Sequence, residues 1–139
     1  MKVFVDNDVI LDVLLERSQY LYSSKILEYI EKKKVTGFTS PIIFTNTFFL
    51  VTKAINKQTA WEALKRLRLL FKITKVDQKT VDLALNSRFT DFEDAIQYYS
   101  ALSQKADFLI TRNKTDYILH QIPIISPKEA IAIIENKIN

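Results

Sequence analysis

The sequence predicts an α/β fold of three layers, with a central, mostly parallel sheet of about five strands held between helices. Three observations carry that expectation. Short, near-continuous apolar runs alternate along the chain with segments whose apolar residues recur at helical spacing, the pattern of a parallel sheet covered on both faces. The 139 residues include one glycine, Gly37, too few for an all-β fold with many tight turns. The three prolines, Pro41, Pro123 and Pro127, fall near element boundaries.

Taken in order, VFV at 3–5 is the first strand, and Ile10, Leu11, Leu14 and Leu15 mark a helix after it. Ile26, Leu27 and Ile30 mark a second helix running to Lys32, Lys33 and Lys34, where cations complement a helix C-terminus. VTGFT at 35–39 is the next strand, and Ala60, Trp61, Leu64, Leu67 and Phe71 form the apolar stripe of a later helix. KITKV at 72–76 is a weaker strand. Val81, Leu83, Ala84 and Leu85 support one more helix, and Ala95, Ile96, Tyr99 and Leu102 another. DFLIT at 107–111 and IPIIS at 122–126 complete the strands.

Composition narrows the function. With no cysteine there is no disulfide, thiolate metal site or cysteine nucleophile, and one glycine excludes Gly-rich phosphate loops and dinucleotide fingerprints. No run reaches the ~18 apolar residues of a membrane span, and no signal-peptide core opens the chain. The expectation is a cytoplasmic protein without membrane contact, one domain spanning 1–139. A net charge of +4 leans mildly toward a polyanionic partner.

Ligands of open parallel sheets gather outside the carboxyl ends of the strands, so the residues just after each strand matter most. Asp6 and Asp8 follow the first strand, and Asp116 lies in TRNKTD after ADFLIT. DFED at 91–94 opens the helix AIQYYSAL. Eight of the 16 acidic residues fall within 6–12, 91–94 and 107–116. Brought together, they would repel one another unless a cation sat among them, and hard oxygen ligands suit Mg²⁺ or Mn²⁺. Such a metal activates water and orients a phosphodiester, so no side-chain nucleophile is needed. Simpler roles compete. Thr90 and Glu93 fit a helix capping box, Asp12 and Glu16 beside Arg17 read as a solvated helix face, and Asp107 can merely start its strand. Asp94 flanks the apolar Ala95 and Ile96 and so points toward the body of the protein. His120 has no partner at a useful spacing, and Phe48 and Phe49 read as core.

VFVDNDVILDVLLER, the helix beginning TSPIIFTN, DFEDAIQYYSA and ADFLITRNKTDY, in that order over nearly the whole chain, resemble a PIN domain. The similarity is greatest to VapC-like toxins of bacterial toxin–antitoxin pairs. The resemblance implies a central parallel sheet and a metal-dependent endoribonuclease using Mg²⁺ or Mn²⁺, with an antitoxin partner and a homodimer. It implies that Asp6, Asp94 and Asp116 bind metal and act in catalysis, with Asp91 as a neighbour and Thr111 in support. Many members have Glu in the segment of Asn46, Asp at the position of Asn113 and Asn at that of Asp8. This chain thus loses two carboxylates and gains one, which makes Asp8 a candidate either to support the ligands from behind or to substitute for one, and leaves Asn46 and Asn113 in support.

For the substrate, residues 53–79 hold eight basic and two acidic residues, and Lys65 and Arg68 share a helix side away from the apolar stripe. Phosphate contact is the expectation for them and for Arg112 and Lys114 beside the acidic loop. Two other readings start from the same residues: a catalytically weakened PIN-fold binding module, and a haloacid-dehalogenase-like phosphatase built on the DND of 6–8. A receiver-type phosphoacceptor domain fits least, having only Asp77 for its strand-end acid.

Overall fold

The computed structural model describes residues 1–138. Five strands form one all-parallel sheet in the order β3-β2-β1-β4-β5. β1 (Lys2–Val5) is central, flanked by β2 (Thr36–Thr39) and β4 (Phe108–Ile110), while β3 (Lys72–Ile73) and β5 (Ile124–Ile125) are the edges. Phe4 pairs with Phe38 on one side and Leu109 on the other, and Val3, Phe4, Val5, Leu109 and Ile110 are wholly buried. That burial is why these runs read as continuous apolar stretches. Four of the strands are shorter than their predicted runs, and pairing shows why at the edge: β3 meets only Phe38 and Thr39.

The helices are α1 (Asn7–Leu14), α2 (Tyr20–Glu31), α3 (Pro41–Ala54), α4 (Lys57–Leu70), α5 (Gln78–Leu85), α6 (Phe92–Ser103) and α7 (Pro127–Ile138). α1 and α2 link β1 to β2, and the paired α3 and α4 link β2 to β3. α5 and α6, packed on each other, bring the chain back past β2 and β1 to β4. Strand order therefore reverses between β1 and β4, and a crevice opens at their carboxyl ends. α7 packs on α2.

Side-chain caps set where these helices begin. Ser40, Asn56, Asp77 and Asp91 each accept the backbone N–H three residues on, and Pro41 takes the first turn of α3, where its missing N–H costs nothing. α7 was not anticipated from apolar spacing. Its signal is a capping box instead: Ser126 Oγ accepts from the Glu129 N–H, and Glu129 Oε1 accepts from the Ser126 N–H.

Two core expectations fail. α3 buries Ile43, Thr47 and Val51, four residues apart, so neighbouring positions turn outward. Phe49 is 62% exposed, while Phe48 rests edge-on against Trp61 with ring centroids 5.2 Å apart. On α4 the buried residues are Ala60, Ala63 and Leu67, and Trp61 is 55% exposed at the side of that stripe.

Gly37 is required by close packing of α2 on β2. A Cβ there would lie 2.7 Å from Ile30 Cδ1 and 3.0 Å from two further atoms of Ile30. Gly37→Ala is expected to lower unfolding free energy by about 1–3 kcal/mol in urea titrations, and adding Ile30→Val should recover part of that loss.

Candidate active site

Asp6 ends the central strand at the crevice, where it also caps α1. Its carboxylate is buried, with donors from three parts of the chain. Oδ1 accepts from the Asn7 N–H at 2.7 Å, and Oδ2 lies 2.9 Å from both Thr111 Oγ1 and Tyr117 Oη. Burial, with the Asp8 charge second, outweighs these hydrogen bonds and pushes the Asp6 carboxyl up to about 7. The Tyr117 hydroxyl is pushed well above its ordinary value by burial and the neighbouring Asp6 and Asp94, so it stays a donor.

Asp8, in the first turn of α1, faces the loop after β4. Its Oδ2 accepts from the Arg112 N–H at 3.1 Å and Asn113 Nδ2 at 3.0 Å, and lies 3.1 Å from Thr111 Oγ1. The Thr111 proton can serve only one of Asp6 and Asp8 at a time, so it couples them. Asp8 Oδ1 is buried without a hydrogen-bond partner. Burial raises this carboxyl as well.

The α6 end of the site corrects the capping expectation. Asp91, not Thr90, is the cap, its Oδ1 accepting from the Asp94 N–H at 3.0 Å. Glu93 is thereby free to reach across to α3, where Oε1 accepts from Asn46 Nδ2. Asp94 is pushed up to about 7 by burial first and then by the charges of Asp6, Asp91, Asp116 and Glu93. Asp116 closes the short 3₁₀ turn Lys114–Asp116 after β4. Asp6, Asp8, Asp91, Asp94 and Asp116 thus share one crevice with Thr111, Asn113 and Asn46.

Among the described residues no three acidic or histidine side chains already stand as a metal-holding group. The donor set nevertheless fits a hard cation in kind. It consists of carboxylates, one of them with an orphaned buried oxygen, and two are pushed up to about 7 by burial first and by repulsion from neighbouring acids second. A cation here would draw the carboxylates inward and relieve that repulsion.

Asp12 is not a solvated charge. It is wholly buried, and its Oδ2 accepts from Arg112 Nε at 2.8 Å and Ser23 Oγ at 2.9 Å. Arg112 therefore faces α1 and anchors the loop that presents Thr111 and Asn113 to the acids. Lys114 is likewise engaged away from the crevice, with Nζ 2.8 Å from Glu129 Oε1 on α7. Arg68 donates to the Phe71 carbonyl and lines a groove with Thr36, Gly37 and Lys72, at the amino end of the sheet. The structure does not bring it to the acids, and Lys65 sits one turn earlier on the same helix. Asp107 accepts from the Lys2 N–H at 2.7 Å, also at the amino ends, as a strand start should. Tyr117 and Glu93 are the site members that spacing missed or misplaced. Tyr117 had no local signal.

Fold and site together define a doubly wound α/β protein with a polyacidic crevice at its topological switch point, where ligands of such sheets bind. The chain belongs to the PIN domain family, whose model matches residues 2–115. It is 27% identical over 122 residues to the protein named Ribonuclease VapC1 of Aquifex aeolicus (strain VF5), covering 84% of each chain. Its fold is also that of a chain in VapBC2 of Rickettsia felis bound to a promoter DNA fragment, with TM-score 0.69 and 14% identity, covering 91% of this chain and 98% of that one. VapC20 of Mycobacterium tuberculosis, described as a sarcin–ricin-loop-cleaving toxin, superposes with TM-score 0.63 and 16% identity, over 77% of this chain and 86% of that one.

Two measurements probe the site's energetics. Between pH 3.8 and about 7 the folded protein holds protons on Asp6 and Asp94 that the unfolded chain has released, so stability falls as pH rises through that window. Thermal melts in EDTA should show that decline, and Asp94→Asn should flatten it and raise Tm at pH 8. Arg112→Ala leaves Asp12 buried and unpaired and should cost about 3 kcal/mol or more in urea unfolding. The double substitution Asp12→Asn/Arg112→Gln should recover part of this.

Proposed function

We propose that this protein is a metal-dependent endoribonuclease that hydrolyses RNA phosphodiester bonds with Mg²⁺ or Mn²⁺, as the toxin of a toxin–antitoxin pair. The observation that carries the reading is the convergence of Asp6, Asp94 and Asp116, with Asp8 and Asp91 beside them, at the switch point of the sheet. The ribonuclease and toxin names of the relatives support RNA as substrate, a toxin–antitoxin complex from Klebsiella pneumoniae with the same fold supports an antitoxin as partner, and a homodimer is part of the same reading.

Asp6, Asp94 and Asp116 would hold the cation, with Asp8 Oδ1 as a further donor. When bound, the metal supplies an activated water and charge stabilisation for an in-line displacement at phosphorus. The protein's own groups do the rest. Thr111 and Tyr117 fix the orientation of Asp6, and Asn113 and the Arg112 N–H fix that of Asp8. Asp94, which burial and the neighbouring acids raise to about 7, would be held ionised by the cation and so serve as its ligand.

The weakened-module reading rested on Asn46 and Asn113. Each amide donates to a carboxylate at the crevice, Asn46 to Glu93 and Asn113 to Asp8, so negative charge is present beside both positions and favours an active enzyme. The phosphatase reading needs a lysine at the acids, whereas Lys114 pairs with Glu129.

Purified protein should cleave RNA with Mg²⁺ or Mn²⁺ and lose the activity in EDTA. Asp6→Asn or Asp94→Asn should each lower kcat/KM at least about 100-fold, more than loss of a supporting group at a metal site. Cleavage that survives both chelator and Asp94→Asn would overturn the assignment.

A further inference from the structure

A cleft of about 350 Å³ opens beside the acids, between α1 and α3. Asp8, Asn46 and Glu93 form its polar end, which it shares with the active site. Leu11 and Leu50 line it further along, and Phe49 and Arg17 complete it. Phe49 lies one turn beyond Asn46 on the same side of α3, with most of its ring open to solvent. The core does not use this ring, since it is Phe48 that packs on Trp61. Arg17 is exposed, and among the described residues its guanidinium is in no ion pair, although Glu16 adjoins it in sequence.

We propose that this cleft is a subsite for one unpaired RNA nucleotide next to the cleaved phosphate, its base stacked on Phe49 and its outer phosphate met by Arg17. The inference rests on the ribonuclease reading above and adds which part of the RNA the site grips. The charge along the cleft fixes the direction. Its acidic end would take a backbone phosphate only with a cation held by the acids, and Arg17 would take the next phosphate, with the base between. Every base has a face to stack, so an aromatic platform binds with little sequence preference. A base inside a duplex is stacked on both faces and has none free for Phe49, so the nucleotide must be unpaired. The free carboxylate oxygen of Glu93 and the Asn46 carbonyl oxygen at the polar end favour bases with an exocyclic amine over uracil.

The test is a cycle between protein and substrate. Phe49→Leu, an apolar exchange at an exposed position, should raise KM for a short single-stranded RNA about tenfold with kcat changed by no more than about twofold, while Phe49→Trp should keep the KM of the native protein. An abasic ribose beside the cut should raise KM for the native protein by the same factor and add nothing to Phe49→Leu. Equal KM for Phe49→Leu and native protein overturns the subsite. Equilibrium binding, in EDTA, of a nucleoside monophosphate, which can place its one phosphate at Arg17 and none at the acids, separates this result from the nuclease reading. About tenfold weaker binding by Phe49→Leu supports the subsite even without any cleavage, and unchanged binding overturns it even where Asp94→Asn abolishes cleavage. Loss of self-association or of a bound antitoxin in Phe49→Leu, with RNA affinity unchanged, also overturns it and gives the face to a protein.

Discussion

Asp6 ends the central strand, and the cost of burying its carboxylate there is offset by donors from three parts of the chain. The Asn7 N–H comes from the start of α1, Thr111 from the end of β4, and Tyr117 from just past the 3₁₀ turn. An unpaired charge at that depth would be intolerable, so the segment 111–117 must fold back over the strand ends. Once it does, its other groups fall into place. The Arg112 N–H and Asn113 amide reach Asp8, and the Arg112 side chain reaches Asp12. The crevice is thus the by-product of satisfying one buried acid.

That arrangement is only partly satisfied, and the shortfall sits where chemistry is proposed. Hydrogen bonds to Asp6 do not outweigh desolvation, Asp94 faces four other acids, and Asp8 keeps an orphaned oxygen. Away from the crevice the same loop is fully paired, Arg112 to Asp12 and Lys114 to Glu129. The carboxyls raised to about 7 are both in the crevice, where a cation would favour their ionised forms, although single buried polar atoms lack partners elsewhere too, Asp12 Oδ1 and Gln97 Nε2 among them.

What was legible in the sequence follows from how local each signal is. β1, β2 and β4 announce themselves because both faces of each are buried, and Asp6 and Asp94 could be placed because a strand end and a helix start are local facts. Asp12 could not. Its partner Arg112 lies a hundred positions away, and of the neighbours Glu16 and Arg17 that make it look like a surface charge, neither pairs with its carboxylate, Arg17 meeting only its backbone carbonyl. Glu93 was misassigned because a capping box and an N-cap aspartate one residue later compete for the same turn, and Asp91 wins. Tyr117 acquires its role only through the fold of its loop, and Phe49 looked like core because Phe48 beside it partly is. α7 was missed because its marker is a pair of polar residues rather than an apolar stripe.

The sheet ends on both sides in strands of two residues, β3 and β5, and β3 exposes Lys72. A flat edge of five or six free peptide groups is a template on which another chain can add a strand, and this protein offers none of that length. Association by β-augmentation would gain too few backbone hydrogen bonds to hold. Any stable protein partner therefore has to be recognised by side chains on the helices. Its specificity will then be written in surface residues that can change without disturbing the strands that carry Asp6.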